Sequence, residues 1–176
     1  MSQRDSGYER IGFDSYETPS WVTNALVPFI ADRIIPRGAV VHEPAAGTGR
    51  MVRALALAGF SVTASDIQEG HDFLLDDTRR QAIVTNPPYS AAADFIEHAL
   101  AVTAPRGIVA MLLRCDFDSA QSRIALFDHV AFAMKVVLLR RIKWFEQSSG
   151  QPSFNHAWYI WDHEHRGAPT LAYTRW

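Results

Sequence analysis

The chain has 176 residues, 48% of them hydrophobic, which is enough material to bury the core of one compact domain. Charged residues make up 20% and the formal net charge is -2, so the composition excludes a polycationic DNA-coating protein and an acidic disordered chain. Any contact with a nucleic acid must therefore be a local patch.

Cysteine content and the N-terminus indicate a cellular compartment. The single cysteine, Cys115, excludes an intrachain disulfide and a cysteine-rich zinc site, which fits a reducing cytosol. The polar N-terminus lacks the apolar core of a signal peptide, and no segment reaches the roughly 18 apolar residues that span a bilayer. We therefore expect a cytoplasmic protein.

The first predicted element is a helix close to the N-terminus. Residues 1–16 are polar with scattered aromatics, and we predict a flexible arm there, followed by a single domain over residues 17–176. Thr18 is expected to cap a helix whose first position is Pro19, because apolar residues then recur at helical spacing. Pro28 is expected to kink or end this helix.

Strands and helices alternate over the rest of the chain. The predicted strands are Ala39–Glu43, Ser61–Ile67, Ala82–Thr85, Ile108–Leu113, Met134–Phe145 and a last strand His156–Trp161. The predicted helices are Arg50–Ala58, Ser90–Thr103 with Ser90 as its cap, and Ser119–Asp128. This alternation predicts the α/β class, with one doubly wound sheet covered by helices on both faces.

A glycine turn follows the first predicted strand, in the segment Glu43-Pro44-Ala45-Ala46-Gly47-Thr48-Gly49. Glycines there let the backbone approach a ligand at the start of a helix, and Asp66 follows at about the twenty-residue spacing of a ribose-binding carboxylate. A dinucleotide fingerprint would require glycine or alanine where this chain has Val52. The turn alone is therefore compatible with a nucleotide cofactor or with an ordinary tight turn.

Glu43 narrows the choice of cofactor. A carboxylate is poorly placed for a pyrophosphate but well placed for a cationic amine, such as the methionyl ammonium of S-adenosylmethionine. The alternative is a strand-end carboxylate that pairs with a neighbouring arginine such as Arg50.

The segment Asn86-Pro87-Pro88-Tyr89, called the tetrapeptide below, ends an apolar strand. Proline has no backbone N–H to pair with a neighbouring strand, and two prolines in succession stiffen the loop. The Asn86 side-chain oxygen and the Pro87 carbonyl can therefore both act as acceptors. Two fixed acceptors suit an exocyclic amine, because hydrogen bonds to its N–H groups stabilise the positive charge that develops on attack. Tyr89 would stack on the base, and a packed proline turn is the structural alternative.

The order of these motifs resembles class I S-adenosylmethionine-dependent DNA amino-methyltransferases, especially small phage and prophage adenine-N6 enzymes, over nearly the whole chain. The resemblance implies a Rossmann-like sheet of about seven mostly parallel strands with the last strand antiparallel. The cofactor-binding residues that it implies are Glu43, Pro44, Ala45, Gly47, Gly49, Asp66, Ile67, Asp72, Phe73 and Asn86, with Tyr16, Thr18, Pro19 and Trp21 closing over the methionine end. The implied catalytic residues are Asn86, Pro87, Pro88 and Tyr89.

The segment 140–145 combines cations with aromatic residues. Arg140, Arg141 and Lys143 are candidates for phosphate contacts, and Phe145 is the candidate for the second face of a base sandwich with Tyr89. A solvated strand end with one packed aromatic residue is the alternative interpretation.

The remaining candidates have ordinary explanations. His163-Glu164-His165 lacks a third ligand in sequence, so we predict no metal site. His156 is expected to be a hydrogen-bonded structural histidine, and Cys115 a buried inert thiol.

These observations favour transfer of a methyl group from S-adenosylmethionine to adenine N6 in DNA, on a flipped or single-stranded base, without metal or covalent intermediate. Cytosine N4, guanine N2 or adenine N6 of RNA, and a protein glutamine remain open as acceptors, as does a silent binding subunit with the same fold. Because no target-recognition region is seen beyond a loop over 146–155, sequence specificity is expected to be weak, or supplied by dimerisation or a separate partner.

Overall fold

Helices and strands alternate through residues 16–144 and 154–175, which are the residues that the computed structural model describes. The α-helices are Ser20–Ile34 (α1), Arg50–Leu57 (α2), Ala92–Val102 (α3) and Ile124–Phe127 (α4). The strands are Val40–Glu43 (β1), Ser61–Ala64 (β2), Arg80–Thr85 (β3), Thr103–Arg114 (β4), Phe132–Val137 (β5), His156–Asp162 (β6) and Thr170–Tyr173 (β7). Within these two ranges no helix is long and apolar enough to cross a membrane.

All these strands form one seven-stranded sheet in the order β2-β1-β3-β4-β6-β5-β7. Every neighbouring pair is parallel except the two that involve β6, which runs antiparallel to β4 and β5. The predicted strand His156–Trp161 corresponds to β6 and has the predicted antiparallel direction. The α/β class and the doubly wound, mostly parallel Rossmann-like sheet are confirmed.

Helices cover both faces of the sheet, because its central strands are apolar on both sides. Along β4, Ile108, Ala110 and Leu112 pack in one buried cluster with α1 and α2. The intervening Val109, Met111 and Leu113 pack in a second cluster with α3 and α4. Successive side chains of a strand point to opposite faces, so one uninterrupted apolar run supplies both cores.

Strand β1 marks the point where the winding direction of the sheet reverses. The chain runs from β1 to β2 on one side, and then returns to place β3 on the other side of β1. Ligands of open α/β sheets bind in the crevice beyond the carboxyl ends of the strands at such a point. The loops that follow β1, β2 and β3 therefore form the expected binding crevice.

The first helix differs from its prediction at both ends. It begins at Ser20 with Pro19 as the N-terminal cap residue, so Thr18 is not the cap. Pro28 was predicted to kink or end this helix; it does not end it, because the helix continues to Ile34. Pro28 and Asn24, whose carbonyl loses its donor, lie on the exposed face, where water can replace that hydrogen bond.

Several other boundaries differ from the sequence predictions. Strand β2 ends before Ile67 because the Asp66 carboxylate accepts a hydrogen bond from the Gln68 amide and begins a short 3-10 turn. Ser90 does not cap α3, because it lies inside the 3-10 turn Tyr89–Ala91 that precedes this helix. The predicted helix over 119–128 consists of short 3-10 turns followed by the single turn of α4.

The C-terminal part of the sheet was predicted least well. Strand β5 ends at Val137 and not at Phe145, which lies outside the described residues. Strand β7 was not predicted at all; it lies at the sheet edge, and three of its four residues are exposed, so the sequence shows no apolar alternation there. Most of the predicted arm, residues 1–15, also lies outside the described part of the chain.

Candidate functional site

A cavity of about 540 Å³ lies at the carboxyl end of the sheet, in the crevice beside β1. All the predicted cofactor-binding residues line it except Pro19, Trp21 and Gly49: Tyr16, Thr18, Glu43, Pro44, Ala45, Gly47, Asp66, Ile67, Asp72, Phe73 and Asn86. They come from five separate segments of the sequence. The carboxyl ends of β1, β2 and β3 bring four of these segments together, and the segment with Tyr16 and Thr18 precedes α1.

The glycine turn has the conformation that its sequence predicts. Gly47 and Gly49 have φ angles of 49° and 77°, in the left-handed region that favours glycine, and Gly49 is the N-terminal cap residue of α2. The Gly47 amide donates to Asp66 Oδ2 at 2.7 Å. The carboxylate at the end of β2 therefore holds the turn that follows β1, in addition to facing the cavity.

Glu43 is almost completely buried, with 1% of its surface exposed. Its Oε1 accepts hydrogen bonds from the Thr85 hydroxyl and the Ala45 amide, while Oε2 has no hydrogen-bond partner among the described residues. Burial raises the pKa of Glu43 to about 8, against the lowering effect of those two hydrogen bonds and with a further rise from the charge of Asp66. The site therefore contains a carboxyl group that favours a nearby cation.

The alternative partner for Glu43, Arg50, is engaged elsewhere. Arg50 Nε forms an ion pair with Glu17 Oε2 at 3.1 Å, and both residues line the cavity. Neither was predicted as a cavity residue from the sequence.

The far wall of the cavity is apolar. Phe73 is buried and packs against Phe95, with 5.1 Å between ring centroids, and Asp72 Oδ1 accepts a hydrogen bond from the Leu74 amide. Ile67 also lines the cavity and is 49% exposed. An apolar side chain that lines an open cavity offers a surface for a flat ring to cover.

Asn86 presents an acceptor at the end of β3. Its Nδ2 donates to the carbonyl of Tyr16 at 3.0 Å, while Oδ1 is buried without a hydrogen-bond partner in the described part of the chain. Asn86 and Pro88 line the cavity, whereas Pro87 and Tyr89 do not. A buried amide oxygen without a donor costs free energy, so this atom is a strong candidate for a ligand contact.

Four rings surround the outer end of the tetrapeptide: Tyr16, Tyr89, Trp144 and His156, called the aromatic cluster below. Tyr16 lies 6.0 Å from Tyr89 and 5.5 Å from Trp144 between ring centroids. Tyr89 Oη lies 2.9 Å from His156 Nε2, and Trp144 meets the His156 ring edge-on. Trp144 was not predicted as a site residue, although its place beside Lys143 in the basic aromatic segment was the available signal.

The predicted substrate-binding cations lie at the same edge of the sheet but outside the cavity. Arg140, Arg141 and Lys143 are exposed in the segment that follows β5. Arg140 lies over the ring of Trp21 with 5.0 Å between the guanidinium carbon and the ring centroid, and Arg141 Nε donates to Asn155 Oδ1. Phe145, the predicted partner of Tyr89, lies outside the described residues.

Other lining residues were missed because no motif marks them. They are Glu17, Ala46, Thr48, Arg50, Met51, Gln68, His71, Leu74, Ser90, Ala91 and Phe95. Most are sequence neighbours of predicted residues, so extending each motif by one or two positions would have found them. Phe95 lies four residues after Ala91, in the first turn of α3, and this spacing was an available signal.

Neither a metal site nor a reactive thiol is found in the structure as described. No group of three potential metal ligands occurs in residues 16–144 and 154–175. Glu164 instead binds Arg33, Arg37 and Arg106 at the opposite edge of the sheet. Cys115 is half-buried, and burial raises the pKa of its thiol.

Neither a protein-family model nor a curated protein sequence matches the chain. A protein from Listeria monocytogenes assigned to the class I S-adenosylmethionine-dependent methyltransferases has a similar structure, with a TM-score of 0.61 and 12% identity over 96% of this chain and 68% of that protein. The chain has a Rossmann-like methyltransferase fold.

Two further methyltransferase structures show how widely the fold is used. The methyltransferase subunit of a type I restriction-modification system from Streptococcus thermophilus has a TM-score of 0.57 and 13% identity, over 87% of this chain and 47% of that protein. An S-adenosylmethionine-dependent O-methyltransferase from Thermotoga maritima has a TM-score of 0.59 and 12% identity, over 87% and 69%. This chain therefore spans about half the length of the Streptococcus subunit. The fold itself does not identify the acceptor atom.

Proposed function

We propose that the chain is an S-adenosylmethionine-dependent methyltransferase that acts on an exocyclic amine, namely N6 of adenine in DNA. The observation that carries this proposal is the Oδ1 atom of Asn86, a buried acceptor without a partner in the described residues, at the wall of the cavity. The methyltransferase fold supports the same conclusion.

The residues around the cavity fit S-adenosylmethionine. Glu43 Oε2 is a buried acceptor that a cationic ammonium would satisfy, and the surrounding carboxylates disfavour a phosphate. Asp66 would accept hydrogen bonds from the ribose hydroxyls, while Ile67 and Phe73 would enclose the adenine ring. When bound, this cofactor supplies an electrophilic methyl group.

Asn86 supplies what an amine acceptor requires. The lone pair of an exocyclic amine is delocalised into its ring, which makes the nitrogen a poor nucleophile. A hydrogen bond from that amine to Asn86 Oδ1 favours a tetrahedral nitrogen and stabilises the positive charge that appears as the N–C bond forms. Because Nδ2 is already held by Tyr16, the amide oxygen is kept in the accepting orientation.

The aromatic cluster and the exposed cations support a nucleic-acid substrate. A base that is unstacked from its neighbours can stack on an aromatic ring, and Tyr89 lies directly after the lining residue Pro88. Arg140 and Lys143 are exposed on the same edge, where they could contact phosphates. We propose a flipped or single-stranded base as the target, with a second copy of the chain or another polypeptide adding specificity.

The test is transfer of a labelled methyl group. The protein is incubated with labelled S-adenosylmethionine and with DNA, RNA or protein, and each digested product is identified by chromatography and mass spectrometry. N6-methyladenine from DNA is the expected product. If the product is N4-methylcytosine, a methylated RNA base or methylated glutamine, the acceptor is that group and not adenine N6. Folded protein that binds no S-adenosylmethionine at millimolar concentration would indicate a silent binding subunit.

Two substitutions separate the proposed roles. Asn86→Ala is expected to lower kcat by at least about 100-fold while the Kd for S-adenosylmethionine stays within about twofold, because the lost acceptor acts on the developing charge. Asp66→Ala is expected to raise that Kd, because it removes the carboxylate and releases the Gly47 amide. Steady-state kinetics and calorimetric titration measure both, and wild-type turnover by Asn86→Ala would contradict the acceptor role.

A further inference from the structure

His156 occupies a specific position behind Tyr89. It is the first residue of β6 and pairs with Arg114 at the carboxyl end of β4, which places it at the same edge of the sheet as the cavity. Only 2% of its surface is exposed. Its Nε2 lies 2.9 Å from Tyr89 Oη, and the two rings lie end to end and nearly parallel, with 6.2 Å between centroids and 26° between planes.

The imidazole is neutral at physiological pH. Burial lowers the pKa of His156 to about 4, and the charge of Arg114 lowers it further. A neutral ring has one nitrogen that donates and one that accepts, so Nε2 accepts from the Tyr89 hydroxyl in one tautomer and donates to its oxygen in the other. Tyr89 is the side chain that hydrogen-bonds this ring among the described residues.

The hydrogen bond and the ring contacts together restrict Tyr89. Trp144 meets His156 edge-on, with 5.3 Å between centroids, and Tyr16 lies 6.0 Å from Tyr89. A tyrosine ring that follows a stiff proline pair can still rotate about its two side-chain torsions. The hydrogen bond at Oη limits the first torsion, which sets the direction of the ring axis. Oη lies on the axis of the second torsion, so the plane of the ring is limited by its contacts with Tyr16 and His156.

We propose that His156 is a positioning residue, which holds the ring of Tyr89 in place for a planar target base to stack on, through the hydrogen bond at Oη and through its own ring. This inference rests on the proposed function, because it assigns the stacking platform of the same site. It extends the site from the loops after β1, β2 and β3 to the antiparallel strand β6. His156 itself contacts neither the target nor the cofactor in this role.

The experiment compares matched variants in steady-state methylation of single-stranded DNA. His156→Leu and Tyr89→Phe should each lower kcat/KM for the target by about tenfold, the range of one hydrogen bond, with the Kd for S-adenosylmethionine unchanged. His156→Gln, whose amide can reach the same atom, should recover most of that loss. The double variant should lose no more than one single variant, since both remove the same interaction.

The control is His165→Leu, because His165 lies at the opposite edge of the sheet and makes its described hydrogen bond to the carbonyl of Gly167. It should retain wild-type kcat/KM. Circular dichroism and thermal unfolding establish that each variant is folded. Wild-type kcat/KM in folded His156→Leu, or additive losses in the double variant, would overturn the positioning role alone. A wild-type protein that methylates no amine in DNA, RNA or protein would overturn the proposed function and this inference with it.

Discussion

Glu43 shows how folding alters a single residue of the site. The carboxyl group is buried against Thr85, and its pKa of about 8 lies above the ordinary value of 4.5. The unfolded chain therefore loses this proton at a lower pH than the folded protein does. The stabilising contribution of the protonated group is complete below about pH 4.5 and is lost as the pH rises towards 8.

We predict that Glu43→Gln removes much of this pH dependence. Between pH 6.5 and 8 the wild-type protein should lose about 2 kcal/mol of unfolding free energy that the variant retains. Burial also lowers the pKa of His42, His156 and His163, and the effect of these residues extends into the lower part of this window. They are the same in the wild type and the variant, so they cancel in the difference between the two curves. Urea unfolding at several pH values measures the difference.

The exposed Asp77 provides the control for that measurement. Asp77→Asn should follow the wild-type pH curve. Parallel curves for Glu43→Gln and wild type would show that the buried carboxyl group is not responsible.

Residue contacts could be predicted only where strand topology determines them. Glu43, Asp66 and Asn86 each end a predicted parallel strand, so the sequence already indicated that they meet at one edge. The Tyr89–His156 hydrogen bond could not be predicted in this way. It depends on the antiparallel register that pairs Arg114 with His156, and nothing in the local sequence encodes that register.

At the scale of elements, strand β4 depends on a glycine within its length. A Cβ atom at Gly107 would lie 2.3 Å from Thr103 Cγ2 and 2.6 Å from the carbonyl oxygen of Gln81. The register between β3 and β4 shifts in this region, between Arg80 and Ala82. Strands β3 and β4 therefore approach each other here at a distance that only a glycine allows.

We predict that Gly107→Ala destabilises the protein by about 1–3 kcal/mol, because a backbone oxygen in the neighbouring strand cannot move aside without breaking the sheet. Chemical unfolding measures this loss. Adding Thr103→Ser removes the nearest clashing methyl group and keeps the hydroxyl that donates to the carbonyl of Ala99, so it should recover part of the stability. An undiminished unfolding free energy in Gly107→Ala would contradict the steric argument.

Helices and strands were predicted well where the apolar periodicity of the sequence is strong. They were predicted poorly where tertiary contacts determine whether an element forms or where it ends. Helix α2 and the apolar part of β4 match their predicted positions closely. Pro28 does not end α1, because Leu26 and Ile30 are buried on either side of the proline, and local propensity does not include that burial. Strand β7 is stabilised by pairing with β5, a contact that its short exposed sequence does not indicate.

At the scale of the whole molecule, the described residues form one sheet with helices packed on both of its faces. Every described strand belongs to that sheet. The exposed cations after β5 suit phosphates, which are the same in every sequence. The loop over 146–155, which was the candidate for base recognition, is described only at Phe154 and Asn155.

We therefore predict that this chain alone methylates adenines in many sequence contexts. A pool of random DNA is treated with the protein and S-adenosylmethionine, and methylated positions are mapped by sequencing, with Asn86→Ala as the background control. No flanking position should show a preference of about tenfold or more, which is what a direct contact to a base edge produces. A long strict consensus would contradict the prediction and would require base-reading side chains in the segment between β5 and β6. A palindromic consensus would further indicate that two copies of the chain act together on symmetric half-sites.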